Sequence, residues 1–87
     1  MTYPAQKNAS ASSIELFPAN SEARARTIQS AAGSATLYVK MGATASTTSH
    51  DVVLAAGDYY EFPRPLYTGV VHGIWSAATG SCLVGEH

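Results

Sequence analysis

The chain has 87 residues, of which 46% are hydrophobic and 13% are charged, and its formal net charge is −1. This length holds one domain, and the near-neutral balance argues against nucleic acid as a ligand, because phosphate neutralisation requires clustered Lys and Arg. The charged share is about half of that in ordinary globular chains. We interpret this low share of charged residues as the mark of a subunit whose surface is largely covered by neighbouring subunits. The alternative is a soluble monomer that is rich in Ser and Thr.

The single cysteine, Cys82, excludes an intrachain disulfide and a thiolate metal cluster. Its neighbours predict a strand, in which it packs as a small hydrophobic side chain. No run approaches the roughly 20 apolar residues of a membrane-spanning helix, and the N-terminus lacks the apolar segment of a signal peptide. We therefore expect synthesis in a cytoplasm and no membrane association.

The N-terminal residues, 1–11, show no apolar periodicity and predict a flexible arm, or a segment ordered only on a neighbour, ahead of a domain over 12–87. In that domain, short runs alternate apolar and polar residues, and no helical pattern separates them. A period of two is typical of strands. In chain order, the predicted strands are residues 13–17, 23–30, 35–41, 51–55, 59–62, 70–76 and 81–86.

About seven short strands joined by turns predict an all-β chain, a small antiparallel β-sandwich of jelly-roll or immunoglobulin-like type. Within the sixth strand, Gly73 indicates a bulge or a close backbone approach, and Trp75 is expected to fill the centre of the sandwich. The rest of the predicted core is apolar and consists of Ile14, Leu16, Ile28, Leu37, Val39, Val53, Phe62, Val70, Ile74 and either Leu83 or Val84.

The sequence offers little for catalysis. The histidines, His50, His72 and His87, lack the short-spaced pairs typical of metal sites. Ser49, His50 and Asp51 are consecutive, so on a strand their side chains would alternate in direction, and no nucleophile-elbow motif is present. We therefore expect no metal site, no cofactor and no enzymatic activity.

Aromatic and basic side chains are the candidate contact residues, because a tyrosine combines a large apolar area with a polar tip. Arg24 and Arg26 lie two residues apart, on one face of a strand, where partner carboxylates or loop carbonyls explain them more simply than phosphates. Tyr59 and Tyr60 point to opposite faces, so one of them should face outward. The predicted partner-binding residues are Tyr3, Pro4, Arg24, Arg26, Tyr38, Lys40, His50 and Tyr60.

Several segments share an order and spacing with a known group of proteins. They are Arg-Thr-Ile-Gln at 26–29, Ala-Thr-Leu-Tyr-Val-Lys-Met-Gly at 35–42, Leu-Ala-Ala-Gly-Asp-Tyr-Tyr-Glu at 54–61, Tyr-Thr-Gly at 67–69 and Gly-Ile-Trp at 73–75. Over residues 18–86 the chain resembles small β-sandwich virion proteins of tailed bacteriophages. It departs from their pattern at Ser30, where Asn is common, and at Gly85 near the C-terminal end.

The resemblance implies a non-enzymatic structural protein of the virion, with no catalytic residues to transfer. We expect foremost a head decoration (cement) protein that binds the major capsid protein or other virion proteins, with a neck, tail or fibre component left open. We also expect a homo-oligomer, with a trimer at capsid three-fold positions preferred. The rival is a carbohydrate-binding module of a fibre or spike, with Tyr38, Tyr60 and Trp75 as stacking platforms.

Overall fold

The computed structural model describes residues 3–42, 44–46 and 48–87, and for residues 3–5 it describes the backbone alone. All regular structure in this part of the chain is β-strand, as predicted. The strands are β1 (Tyr3–Asn8), β2 (Ile14–Phe17), β3 (Arg26–Ser30), β4 (Leu37–Met41), β5 (Val52–Leu54), β6 (Tyr59–Glu61), β7 (Val71–Trp75) and β8 (Ser81–Glu86).

The strands form two four-stranded antiparallel sheets, which confirms the predicted β-sandwich. Sheet A has the order β1-β8-β3-β6, and sheet B has the order β2-β7-β4-β5. The chain changes sheet after every strand except at the β4–β5 hairpin. Strands that neighbour each other in a sheet are therefore distant in sequence, and β8, the last strand, lies in the interior of sheet A between β1 and β3.

The first strand was not expected. Tyr3–Asn8 pairs with β8 along its whole length, from Tyr3 opposite Glu86 to Asn8 opposite Ser81, so the structure adds an eighth strand, within the predicted arm of residues 1–11, to the seven predicted strands. The physical reason is that an edge strand is held by backbone groups along one side, which requires no apolar alternation in its sequence.

The core lies between the sheets and contains side chains from both. In β4, Leu37 and Val39 are buried as predicted, and Trp75 fills the interior at 1% exposure. The buried apolar side chains that form this core are those of Leu16, Phe17, Ile28, Leu37, Val39, Leu54, Phe62, Val71, Trp75, Cys82 and Val84.

The predicted core is wrong at positions where the prediction placed the outward face of a strand in the interior. In β7, Val71 and Trp75 are buried while Ile74 is on the outer face, and the preceding Val70 is half-buried. A run with apolar residues on both faces does not reveal which face is buried, and the neighbouring sheet decides it. The same correction applies to Val53 and Leu83, which are 50% and 49% exposed, whereas Ile14 packs at the margin of the core.

At Gly73 the groups that approach closely are leucine side chains rather than the backbone that was predicted. A Cβ atom at this position would lie 2.7 Å from Cδ1 of Leu16 and 3.0 Å from Cδ1 of Leu37. Both distances are too short for carbon atoms in van der Waals contact. The absence of a side chain at Gly73 therefore lets β2 and β4 place their leucines across the centre of sheet B.

Candidate contact surfaces

Arg26 and Glu86 form an ion pair inside the sandwich. They are register partners on β3 and β8, and Nε of Arg26 donates to Oε2 of Glu86 over 2.8 Å, with side-chain exposures of 0% and 2%. The other carboxylate oxygen, Oε1 of Glu86, accepts a hydrogen bond of 3.2 Å from Nδ2 of Asn20. Both charged groups are thus removed from water and compensated by each other.

The remaining N–H groups of Arg26 bind loop carbonyls. Nη1 donates to the carbonyls of Tyr67 (2.9 Å) and Gly69 (2.7 Å), and Nη2 donates to that of Pro18 (2.8 Å) and, more weakly, to that of Thr68 (3.3 Å). The guanidinium also lies 4.9 Å from the centre of the Phe17 ring. This one side chain therefore joins sheet A to the end of β2 and to the loop that precedes β7.

The burial of Arg26 corrects the sequence-based site. Its expected contacts, a carboxylate and loop carbonyls, are present, but they are internal, so the prediction that Arg26 binds a partner is wrong. Arg24, two residues earlier, is exposed and precedes the strand. The two arginines therefore do not form a basic patch.

The outer face of sheet B brings together three of the predicted contact residues. Tyr38 and His50 have ring centres 4.9 Å apart, and Nζ of Lys40 donates to Oγ of Ser49 over 2.7 Å. Across the strands, Tyr38 lies opposite Ile74 and Val53, while Lys40 lies opposite His72, which is in turn opposite Glu15. This face mixes one apolar row with one row of alternating charge and imidazole.

The consecutive Ser49, His50 and Asp51 are bonded to different groups. Nδ1 of His50 lies 3.1 Å from the carbonyl oxygen of Ser46, and Oδ2 of Asp51 accepts from the amide N–H of Met41 over 2.9 Å. Ser49 Oγ is bound by Lys40. None of these contacts joins the serine to the imidazole, so their geometry is that of a loop held in place rather than of a nucleophile and its base.

The outer face of sheet A was missed by the sequence analysis. We use this name for the outward side chains Gln6, Thr27, Gln29, Tyr59, Glu61 and Leu83. One row crosses all four strands, with Gln6 opposite Leu83, Leu83 opposite Gln29 and Gln29 opposite Tyr59. Leu83 and Tyr59 are 49% and 58% exposed, and Glu61 is the single charged member of this set.

The signal for this face was present but ambiguous. In β8, Cys82 and Val84 alternate with Leu83, so apolar residues occur on both sides of the strand. Alternation could not decide between Leu83 and Val84, and the structure buries Val84. The expectation that Tyr59 and Tyr60 point to opposite faces is confirmed, with Tyr59 outward.

Tyr60 and Trp75 both pack inward. The ring of Tyr60 lies 5.3 Å from that of Phe62 and packs, half-buried, against the core. Its role in partner binding stays a prediction. Trp75 is buried, as expected for a residue at the centre of the sandwich. The side chains of Tyr3 and Pro4, two further predicted contact residues, lie outside the described part of the structure.

Cys82 behaves as a small hydrophobic side chain in a strand, as predicted. It is 1% exposed and belongs to the core. Burial raises the pKa of its thiol from 9.0 to about 11, an effect that the positive charge of Lys7 partly offsets. A thiol with so high a pKa is a poor nucleophile at neutral pH, because the thiolate is the reactive form.

Comparisons with protein-family models, with curated proteins and with solved structures found no match for this chain. In the described residues, no three His, Cys, Asp or Glu side chains are grouped so that they could hold a metal ion. The same part of the chain contains no helix that is long and apolar enough to cross a membrane.

Proposed function

We propose that this chain is a non-enzymatic structural protein of a tailed-phage particle, foremost a head decoration protein, and that it adheres through the outer face of sheet A. The sequence resemblance supports the assignment to a virion. The observation that carries the adhesive role is the row from Gln6 to Tyr59, in which two large apolar side chains are half exposed among uncharged amides.

Such a face is suited to burial against another protein. Leu83 and Tyr59 supply apolar area, and its removal from water favours association. Gln6 supplies hydrogen-bonding groups, whereas Nε2 of Gln29 already donates to the carbonyls of Gly57 (3.0 Å) and Asp58 (3.2 Å). No cluster of charges has to be desolvated. The backbone hydrogen bonds of the sheet beneath it fix the spacing between these side chains.

The distribution of charge also supports this role. Of five basic and six acidic side chains, one of each forms the buried ion pair, which leaves nine for an accessible surface of 4563 Å². Charge is what keeps solvated surfaces of free monomers apart. A surface so weakly ionic favours a molecule that works within an assembly.

The carbohydrate-binding alternative is weakened by the position of its aromatic residues. A stacking platform requires exposed ring faces, but Trp75 is 1% exposed and Tyr60 packs against the core. Of the three residues that would have formed the platform, Tyr38 is left on an outer face, and its ring is paired with His50.

A pair of matched substitutions tests the adhesive face. Leu83 and Val53 are 49% and 50% exposed but lie on opposite sheets, so Leu83→Lys and Val53→Lys place the same charge on the two faces at similar cost to folding. We expect Leu83→Lys to weaken binding to purified heads of the encoding phage at least about tenfold, because a lysine would be desolvated in the contact. Val53→Lys should bind as the parent protein does.

Co-sedimentation with heads gives the affinities, and circular dichroism verifies that both variants are folded. Equal binding by the two variants would contradict the assignment of the face. Quantitative mass spectrometry of purified particles tests the location: hundreds of copies indicate the shell, about a dozen or fewer indicate the neck or tail. Absence from the particle would refute the virion role, and glycan-array binding that is lost in Tyr38→Ala would support the carbohydrate-binding alternative.

A further inference from the structure

The first strand of sheet A is attached to the rest of the molecule through one neighbour. β1 pairs with β8 over its six residues and with no other strand of the described structure. Of its described side chains, Gln6 and Asn8 are exposed and Lys7 is half-buried, and none of the three belongs to the core. These three residues therefore add no core packing to the backbone hydrogen bonds between β1 and β8, and such bonds do not depend on the side chains of β1.

In contrast, β8 cannot be left uncovered. Its inward residues Cys82, Val84 and Glu86 are 1%, 0% and 2% exposed, and without β1 its edge would present unpaired N–H and C=O groups beside the core. An open edge of this kind readily recruits another strand. Any copy of Tyr3–Asn8 presents the same backbone to that edge, whichever molecule it belongs to.

The connection between β1 and β2 contains a short segment at which the chain can change direction. Ala9 donates its amide N–H to the carbonyl of Gly80 (2.9 Å), and the carbonyl of Ser10 accepts from the amide of Trp75 (2.9 Å). The next two residues, Ala11 and Ser12, are exposed. Ser13 is fixed again, because its Oγ accepts from the amide N–H of Ala45 over 3.1 Å.

We propose that residues 3–10 are exchanged between copies of this chain, with β1 of one molecule pairing with β8 of a neighbour and Ala11–Ser12 acting as the hinge. The backbone hydrogen bonds that join β1 to β8, Ala9 to Gly80 and Ser10 to Trp75 can then be made to the neighbour instead. The local bond from the amide N–H of Ser12 to Oγ of Ser10 stays within one chain. Exchange of an identical element is a low-cost route to an oligomer, and short hinges favour it.

The length of the hinge restricts the assembly. Two extended residues span about 7 Å at most, so the β8 edges of exchanging molecules must lie side by side. This favours a closed oligomer over a loosely linked chain of molecules. The exchange concerns the isolated protein, and it does not depend on a role in a virion.

Disulfide trapping distinguishes exchanged from closed molecules. Lys7 lies opposite Cys82 in the register, so Lys7→Cys creates a pair with the native thiol. Asn8 lies opposite Ser81, so Asn8→Cys/Ser81→Cys in a Cys82→Ala background creates a second pair on the other face of the sheet. The two pairs are of the two alternating types that occur in antiparallel ladders, so one of them suits a disulfide if the register is right.

The variants are oxidised as purified oligomers, denatured and analysed by non-reducing electrophoresis. We expect covalent dimers or larger species that disappear on reduction. The matched control, Asn8→Cys with Cys82→Ala, has one thiol and can form nothing larger than a chance dimer. Its dimer yield, subtracted from that of the double-cysteine variant, removes collisional cross-linking.

Three results would overturn the proposal. The first is a disulfide confined to single chains, seen as a monomer without free thiols. The second is failure of both designs to form any disulfide, which would refute the pairing of β1 with β8. The third is a monomeric mass for the parent protein by light scattering at the concentration used for trapping. The trapping experiment uses no phage heads. A negative result would therefore refute strand exchange without bearing on whether the protein binds the phage shell.

Discussion

At the scale of single residues, the buried pair of Arg26 and Glu86 has the largest expected effect on stability. Removing one member of a buried ion pair leaves the other without a counter-charge, which costs about 3–5 kcal/mol, whereas replacing both with apolar residues is often close to neutral. We predict that Arg26→Met lowers the free energy of unfolding by about this amount, and that Arg26→Met/Glu86→Leu recovers part of it. Urea denaturation measures both.

The recovery should be incomplete, because Arg26 also donates to carbonyls that would be left without these bonds in the double variant. Arg24→Met is the matched control, since Arg24 is an exposed arginine two residues away, and its effect should lie within about 0.5 kcal/mol. An effect of Arg26→Met as small as that of the control would show that the network does not stabilise the fold.

The thiol of Cys82 gives a prediction for alkaline pH. Its pKa is raised from 9.0 to about 11 in the folded protein, so the unfolded chain loses this proton first as the pH rises. The contribution of Cys82 to stability is therefore complete below pH 9.0 and is lost between pH 9.0 and about 11. The free energy of unfolding of the parent protein should fall more steeply over this interval than that of Cys82→Ala.

Urea denaturation at a series of pH values tests this difference, because Cys82→Ala removes the thiol and leaves the other side chains in place. Parallel curves for the two proteins would mean that the thiol is solvated in the folded state. In the same way, alkylation of the native protein at pH 8 should be much slower than alkylation of the urea-unfolded chain, because burial limits both access and ionisation.

At the scale of elements, Ser34 connects the turn between β3 and β4 to the start of β8. Its Oγ donates to the carbonyl oxygen of Ser81 and accepts from the amide N–H of Ser81, both over 3.1 Å. A Cβ atom at Gly80, which has a φ of +98°, would collide with this serine. One hydroxyl thus binds both backbone groups of Ser81, and the carbonyl of Ser81 also accepts from the amide N–H of Ala31 over 3.0 Å.

We predict that Ser34→Ala lowers the free energy of unfolding by about 1–3 kcal/mol, because it leaves the amide N–H of Ser81 without its partner, while the carbonyl of Ser81 keeps its bond from Ala31. Ser76→Ala, at an exposed position after β7, is the control and should have little effect. Thermal and urea unfolding measure both variants. If Ser34→Ala and Ser76→Ala changed the free energy of unfolding equally, the prediction would be wrong. Water would then be replacing the hydroxyl of Ser34, and the turn would not depend on its bonds to β8.

The bounds of the strands show which part of the fold the sequence could predict. The strands β2 to β8 lie within the predicted ranges, because alternation of apolar residues and the turn residues between them are local properties. In contrast, the inward face of β7 was assigned wrongly, since Val70, His72 and Ile74 look as suitable as Val71, Gly73 and Trp75. The choice depends on β2 and β4, whose leucines occupy the space above Gly73.

At the scale of the whole molecule, the weak surface charge makes a prediction about salt. If the protein adheres through the outer face of sheet A, with its single charged residue Glu61, the affinity for phage heads should change little between about 0.05 and 0.5 M NaCl. Co-sedimentation at several salt concentrations measures this. A steep loss of binding at high salt would instead indicate that the outer face of sheet B, with Lys40 and Glu15, makes the contact. In that case Lys40→Met should reduce binding at low salt.

The amino-acid sequence by itself determined the all-β class, the positions of seven strands and the low surface charge, because each depends on the order of neighbouring residues or on composition. Tertiary structure alone decided that β1 pairs with β8, that Leu83 faces outward, and that Arg26 meets Glu86 across 60 positions of the chain. These features depend on which strands become neighbours, and that is decided by packing the whole chain around one core.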